Sequence, residues 1–146
     1  MKHPKTTVLL GLFLFAAAHA CGQPTTLAAA TGPDYERGRY LVERVGMCQD
    51  CHSPRDEQGR FVPERWLQGA PLPFQPTVPM PWAGASKPLV GLPTLSEAQA
   101  VRFLTSGELP EGRRALPPMP EYRFSEADAR DIVAYLKHPI APVAGK

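Results

Sequence analysis

Net charge is scarce in this sequence. Its 146 residues carry 16 Lys and Arg against 14 Asp and Glu. Two of the bases, Lys2 and Lys5, precede the point where the chain looks cleavable, so the remainder balances. A basic face of the kind that grips nucleic acid is thereby excluded. The apolar run from Val8 to Ala18 is too short for a membrane span. No stretch alternates apolar and polar residues long enough to make a strand, no repeat recurs, and βαβ alternation is missing. Cysteine is confined to Cys21, Cys48 and Cys51. A structural zinc site wants four ligands, and beyond the Cys48/Cys51 pair the processed chain offers only Cys21, His52 and His138, with no second cluster. A thioredoxin-like redox pair would also use two cysteines at this spacing, but it sits near a βαβ unit, which the sequence does not contain.

What is present begins with an export signal. Lys2, His3 and Lys5 form a basic start, the apolar run follows, and Ala18-His19-Ala20 makes a small-x-small exit. Residues 1–20 are read as the signal, 21–32 as a polar linker, 33–139 as one domain and 140–146 as a tail. Cys21 stands directly after the cleavage bond, so a general signal peptidase and a lipoprotein peptidase would cut at the same place. Either Cys21 carries a lipid that tethers the domain, or it is an unpaired thiol of an exported protein. Proline is heavy at 18 residues while the hydrophobic fraction of 43% is ordinary, which describes a globular domain with long irregular connections.

Within the domain, Asp34 is placed to cap a helix whose apolar positions Gly38, Leu41, Val42 and Val45 follow helical spacing and which is predicted to run straight into Cys48. From Ser53 to Leu95 prolines punctuate the chain and the pattern dissolves. So long a loop is reasonable in a compact domain if it has a large apolar object to wrap. Ser96-Glu97-Ala98-Gln99 is a capping box for a short helix that Gly107 can end, and Ser125 opens a last helix that Pro139 ends. The fold class is all-α: three or more helices joined by Pro-rich loops.

Cys48-Gln49-Asp50-Cys51-His52 is a C-x-x-C-H. Two thiols at this spacing can add to the two vinyl groups of one porphyrin, and the neighbouring His is then placed under the iron as an axial ligand. The implied cofactor is one covalent haem c. A haem that only shuttles electrons wants a second axial ligand. Met47 adjoins Cys48 and cannot reach the far face, which leaves Met80 in Val78-Pro79-Met80-Pro81 and Met119 in Pro117-Pro118-Met119-Pro120. A thioether raises the reduction potential, and flanking prolines stiffen the backbone that presents it; both candidates meet that test.

The helix from Gly38 to Val45 leading into C-x-x-C-H, the Pro118-Met119-Pro120-Glu121-Tyr122-Arg123-Phe124-Ser125 segment and the Asp128 to Lys137 helix together resemble the class I cytochrome c domain, from about Asp34 to His138. That resemblance implies a cytochrome c fold wrapped around one covalent haem, with Met119 as the distal ligand and Met80 as the runner-up. It implies that the terminal helices cross closely, Gly38 meeting Tyr135. It also implies that a proline carbonyl before the middle helix holds the proximal His by its second ring nitrogen, for which Pro88 is the best match, although its spacing to Gly91 is one residue shorter than the family's usual run. Trp66, Trp82, Arg113 and Arg114 can reach haem propionates, with packing and surface charge as the plainer roles; His138 is read as a solvated tail residue. The function implied is single-electron transfer in the periplasm between redox proteins (a dehydrogenase, an oxidase or another cytochrome), with no catalysis by the chain itself and membrane contact only through a Cys21 lipid or a complex. The alternatives are a subunit of a larger dehydrogenase or oxidase complex, and a gas sensor or peroxidase-like protein whose iron has an open site.

Overall fold

A computed structural model describes residues 32–141. The signal, Cys21, most of the linker and residues 142–146 lie outside the described residues. The described chain is all-α, with helices joined by irregular segments and only two isolated bridges, Arg55 with Phe61 and Pro71 with Ala85, in place of strands.

Helix α1 (Tyr35–Tyr40) starts where the Asp34 side chain accepts the Arg37 N–H at 3.0 Å. The Asp34 N–H in turn donates to Asp131 Oδ1 at 2.7 Å, so the last helix also helps to begin the first. The chain continues as a π-helical turn, Leu41–Val45, closed by the Gly46 N–H on the Leu41 carbonyl at 2.7 Å. The helix therefore does not run straight into Cys48, as the periodicity suggested. The wider π turn ends it at Val45, and Met47, with a left-handed φ of 45°, breaks the path before α2 (Cys48–His52) begins. That conformation is costly for a side chain with a Cβ and marks a junction that the surrounding structure enforces.

Helices α3 (Glu97–Ser106) and α4 (Glu126–Lys137) follow their sequence signals. Ser96 and Gln99 exchange both capping-box bonds, and Gly107, at φ +73°, terminates α3 in the left-handed conformation that glycine adopts without penalty. The Ser125 side chain accepts the Asp128 N–H, and α4 stops at Lys137, two residues before Pro139.

The core lies where α1 and the π turn cross α4. Val42, Ala129 and Tyr135 are completely buried there, with Leu41, Ile132, Val133 and Leu136 around them, and Ala100 and Leu104 of α3 close the side. Trp66 and Leu67 enter the same cluster from the long loop. Trp66 Nε1 donates to the Tyr135 hydroxyl at 3.2 Å, and that hydroxyl donates to Glu43 Oε1 at 2.6 Å, with the Ile140 carbonyl as a further acceptor at 3.2 Å. Burial, and next the carboxylate of Glu43, drive the Tyr135 phenol upward, so it stays a neutral donor. Across the crossing, Arg37 grips Asp128 at 2.7 Å, which holds that carboxyl below its ordinary range. Ala141 is partly buried against the cluster, so domain packing continues to the end of the described residues.

Gly38 is what lets the two helices meet. A Cβ placed on it would lie 1.9 Å from the Asp131 carbonyl oxygen and 3.1 Å from Tyr135 Cβ. The close approach is thus backbone against backbone first, with Tyr135 beside it. Gly38→Ala is expected to cost about 3 kcal/mol because the obstructing atom is main chain and cannot swing aside. A urea titration of the variant beside the parent protein measures it; an unchanged midpoint would mean that the helices slide freely.

Candidate functional site

The C-x-x-C-H residues form their own short helix, and its backbone is strapped down by the long loop. The Gly69 N–H donates to the His52 carbonyl at 2.7 Å. Ser86 Oγ accepts the Ala70 N–H at 2.8 Å and donates to the Cys51 carbonyl at 2.6 Å. Ser53 Oγ accepts the Leu67 N–H at 2.8 Å. A helix of five residues leaves most of its terminal carbonyls without internal partners, and these loop groups answer that need. The loop is therefore a fitted strap, whose N–H and hydroxyl groups take up the carbonyls at the end of the motif helix.

Gly69 makes the strap close. It sits at φ +80°, and a Cβ there would fall 2.7 Å from the Ser86 carbonyl oxygen and 3.0 Å from the Lys87 carbonyl carbon. The segment it lies against carries the contact that orients His52. That ring is buried, and its Nδ1–H donates to the Lys87 carbonyl at 2.7 Å. The carbonyl belongs to Lys87 and not to Pro88, correcting the sequence expectation by one position. Pro88 restricts the residue before it to extended backbone. The spacing from Pro88 to Gly91 is one residue short, and counting one residue further back from Gly91 arrives at Lys87.

Burial lowers the His52 pKa, with the Lys87 bond pulling the other way, so the imidazole is neutral near pH 7. With Nδ1 occupied, Nε2 is the nitrogen left with a lone pair, and it has no hydrogen-bond partner among the described residues. This is the arrangement in which a carbonyl fixes the tautomer and strengthens an imidazole as a metal ligand.

Cys48 and Cys51 are both free thiols. Burial pushes the Cys48 thiol up to about 11, and burial, with Asp50 adding, raises Cys51 as well. A dithiol that exchanges disulfides needs a depressed pKa and a thiolate, so these two are poor redox cysteines. Among the described residues no group of three or more His, Cys, Asp or Glu could hold a metal ion.

The two Pro-flanked methionines sit on neighbouring loops, since the Ala83 N–H donates to the Pro117 carbonyl at 2.8 Å. Met119 is half-buried, whereas Met80 is 45% exposed. Phe74, Val78 and Leu116, on the same loops, are also large apolar side chains left exposed. Trp82, packed edge-on against Phe74 at 6.1 Å, has a buried Nε1 with no acceptor among the described residues. Two unpaired thiols, an oriented neutral imidazole, an orphaned indole N–H and exposed apolar loops fit a large apolar group that carries a polar acceptor and an iron: a haem.

Of the other residues singled out in the sequence, Trp66 belongs to the core, its N–H committed to Tyr135. Arg113 pairs with Glu111 and Arg114 with Glu121 on the surface. His138 caps α4, exposed, and its carbonyl accepts the Tyr35 hydroxyl at 2.8 Å. A cleft of about 850 Å³ between α3 and α4 contains none of the motif residues; its rim carries the Lys137–Glu97 and Arg130–Glu126 pairs. Sequence reasoning missed Gly69, Ser86 and Lys87, whose roles are carried by backbone groups or a lone hydroxyl. It also left Tyr122 without a role: its hydroxyl donates to the Gly46 carbonyl at 2.8 Å, beside Cys48.

No protein-family model matches the chain. It is 33% identical over 117 residues to a "Diheme cytochrome c-type" protein of Cereibacter sphaeroides, covering 72% of this chain and 35% of that one. It is 32% identical over 133 residues to the cytochrome c subunit of a quinone alcohol dehydrogenase of Gluconacetobacter polyoxogenes, covering 82% of this chain and 28% of that subunit. The fructose dehydrogenase cytochrome subunit of Gluconobacter japonicus matches at 27% over 128 residues, 83% of this chain and 25% of the subunit. The chain thus spans about a third or less of the length of the curated relatives it matches.

Proposed function

We propose that the chain is a c-type cytochrome module holding one haem, bonded through Cys48 and Cys51 and ligated by His52 and Met119, that passes single electrons between redox proteins in the periplasm. The observation that carries this reading is the proximal half-site: His52 held by the Lys87 carbonyl beside two unpaired thiols. The relatives named as cytochromes support the cofactor, and a single C-x-x-C-H in the sequence supports a single haem. Export rests on residues 1–20, with Cys21 as the point where a lipid would tether the module; no helix among the described residues is long and apolar enough to cross a membrane.

When bound, haem supplies the ferric/ferrous couple. The chain's own residues do the rest. Cys48 and Cys51 would hold the cofactor by thioether bonds, each thiol adding its S–H across a vinyl group. His52 presents Nε2 in a set orientation. Met119, stiffened by Pro118 and Pro120, would hold the group through a thioether, a ligand type that raises the potential. The two relatives named as dehydrogenase cytochrome subunits favour a dehydrogenase as electron donor, and with it the reading of this chain as the cytochrome component of such a system. A gas sensor or peroxidase needs an open or labile sixth position, against which the Pro-flanked, half-buried Met119 stands.

Intact-mass measurement of the purified protein should find one haem per chain, and the reduced protein should change little in its spectrum within seconds of adding carbon monoxide. No haem on the chain would overturn the proposal; immediate carbon monoxide binding would transfer it to the open-site alternative.

A further inference from the structure

The arm that carries Met119, between α3 and α4, is fastened at several points. The Phe124 N–H donates to the Leu104 carbonyl at 3.1 Å, returning the arm to α3. Glu121 takes Arg114 and Arg123, each at 2.7 Å, and these two guanidiniums lie over Gly107 at the end of α3. Those ion pairs are about half exposed and hold the arm to its own base, where solvent screens them. Among the described residues, Tyr122 makes the side-chain bond from the arm to the segment that enters the attachment motif. Its hydroxyl donates to the Gly46 carbonyl at 2.8 Å, across 76 residues of sequence.

The surroundings of that bond are closely fitted. A Cβ on Gly46 would lie 3.1 Å from Cys48 Sγ and 3.5 Å from the Tyr122 hydroxyl, so the thiol and the phenol meet over a residue that has no side chain to separate them. The ring is stacked on Phe124, with centroids 5.0 Å apart and planes 27° apart, which fixes where the hydroxyl points. Burial pushes the phenol up to about 12, keeping it a proton donor.

We propose that Tyr122 is a positioning residue for the distal ligand: its bond to Gly46 ties the Met119 arm to the attachment motif and so keeps the thioether on the iron. The inference rests on the reading of Met119 as that ligand. An iron–thioether bond persists because the protein holds the sulfur at high effective concentration, and a tether three residues away sets that concentration. Only Pro120 and Glu121 separate the ligand from the tether, and Pro120 restricts the backbone between them.

Tyr122→Phe removes one hydroxyl and retains the ring that stacks on Phe124. The test uses the full ferric holoprotein and reads three quantities: the far-red charge-transfer band of methionine on ferric iron, the rate at which added imidazole displaces the methionine, and the melting temperature. Tyr35→Phe, which removes the hydroxyl bonded to His138, is the matched control. Tyr122→Phe should speed imidazole entry about two- to tenfold, the worth of one hydrogen bond, and weaken the charge-transfer band. Tyr35→Phe should move only the melting temperature. A parent protein that shows the band, with a Tyr122→Phe variant that takes up imidazole at the parent rate, overturns the tether while leaving Met119 as ligand. A parent protein without the band removes both.

Discussion

Replacing both motif cysteines with serine (C48S/C51S) is expected to convert a haem that survives denaturation into one that is extracted almost completely by acidified organic solvent. Serine is close to cysteine in shape, though smaller and more polar, and cannot form the thioether. Acid protonates imidazole and so breaks the bond from His52 to iron, because a metal ligand must be deprotonated. It leaves carbon–sulfur bonds intact. In the double variant, therefore, nothing covalent remains, whereas C48S and C51S alone should each keep haem on the chain through the surviving bond. The parent protein is the decisive arm: if its haem enters the organic phase, there are no thioethers and the reading of Cys48 and Cys51 fails. Among the described residues neither cysteine has a disulfide partner.

Met119→Ala should lower the reduction potential by on the order of 0.1 V, a fraction of the roughly 0.8 V that axial ligation spans. A thioether favours the ferrous state, and its loss leaves water or nothing in that position. The same variant should bind carbon monoxide promptly in the reduced form, where the parent does not. Met80→Ala is the comparison. Met80 lies on the neighbouring loop and is flanked by prolines in the same way, but it is 45% exposed where Met119 is half-buried. If Met80→Ala produced the fall in potential and Met119→Ala did not, the distal ligand would be Met80. Spectroelectrochemical titration of the three proteins reads the answer directly.

Local signals were legible and tertiary ones were not. Asp34, Ser96 and Ser125 were readable as helix caps because a cap is a contract between residues two or three positions apart, and all three make the expected bonds. Gly38 was readable through the resemblance, yet the atom it avoids proved to be the Asp131 carbonyl, which no side-chain pattern encodes. The π turn escaped notice since Leu41, Val42 and Val45 satisfy ordinary helical spacing. What widens the turn is backbone bonding of the kind made by the Gly46 N–H to the Leu41 carbonyl. Lys87 was missed for a related reason: its carbonyl orients His52, and a carbonyl is the same in every residue. The sequence offers such a position only through its neighbours, here the restriction that Pro88 places on it and the turn at Gly91. Ser86 and Gly69 are similar, their roles fixed by a loop path that prolines permit but do not dictate.

The crossing of α1 and α4 has a consequence for how such a module can be used. The Tyr35 hydroxyl rests on the His138 carbonyl, so the start of the first helix lies beside the end of the last. A domain whose ends emerge together is easily threaded into a longer polypeptide, like a bead on a cord: chain added before or after it leaves its folded contacts undisturbed. The wiring of such a module is then decided by what is strung beside it.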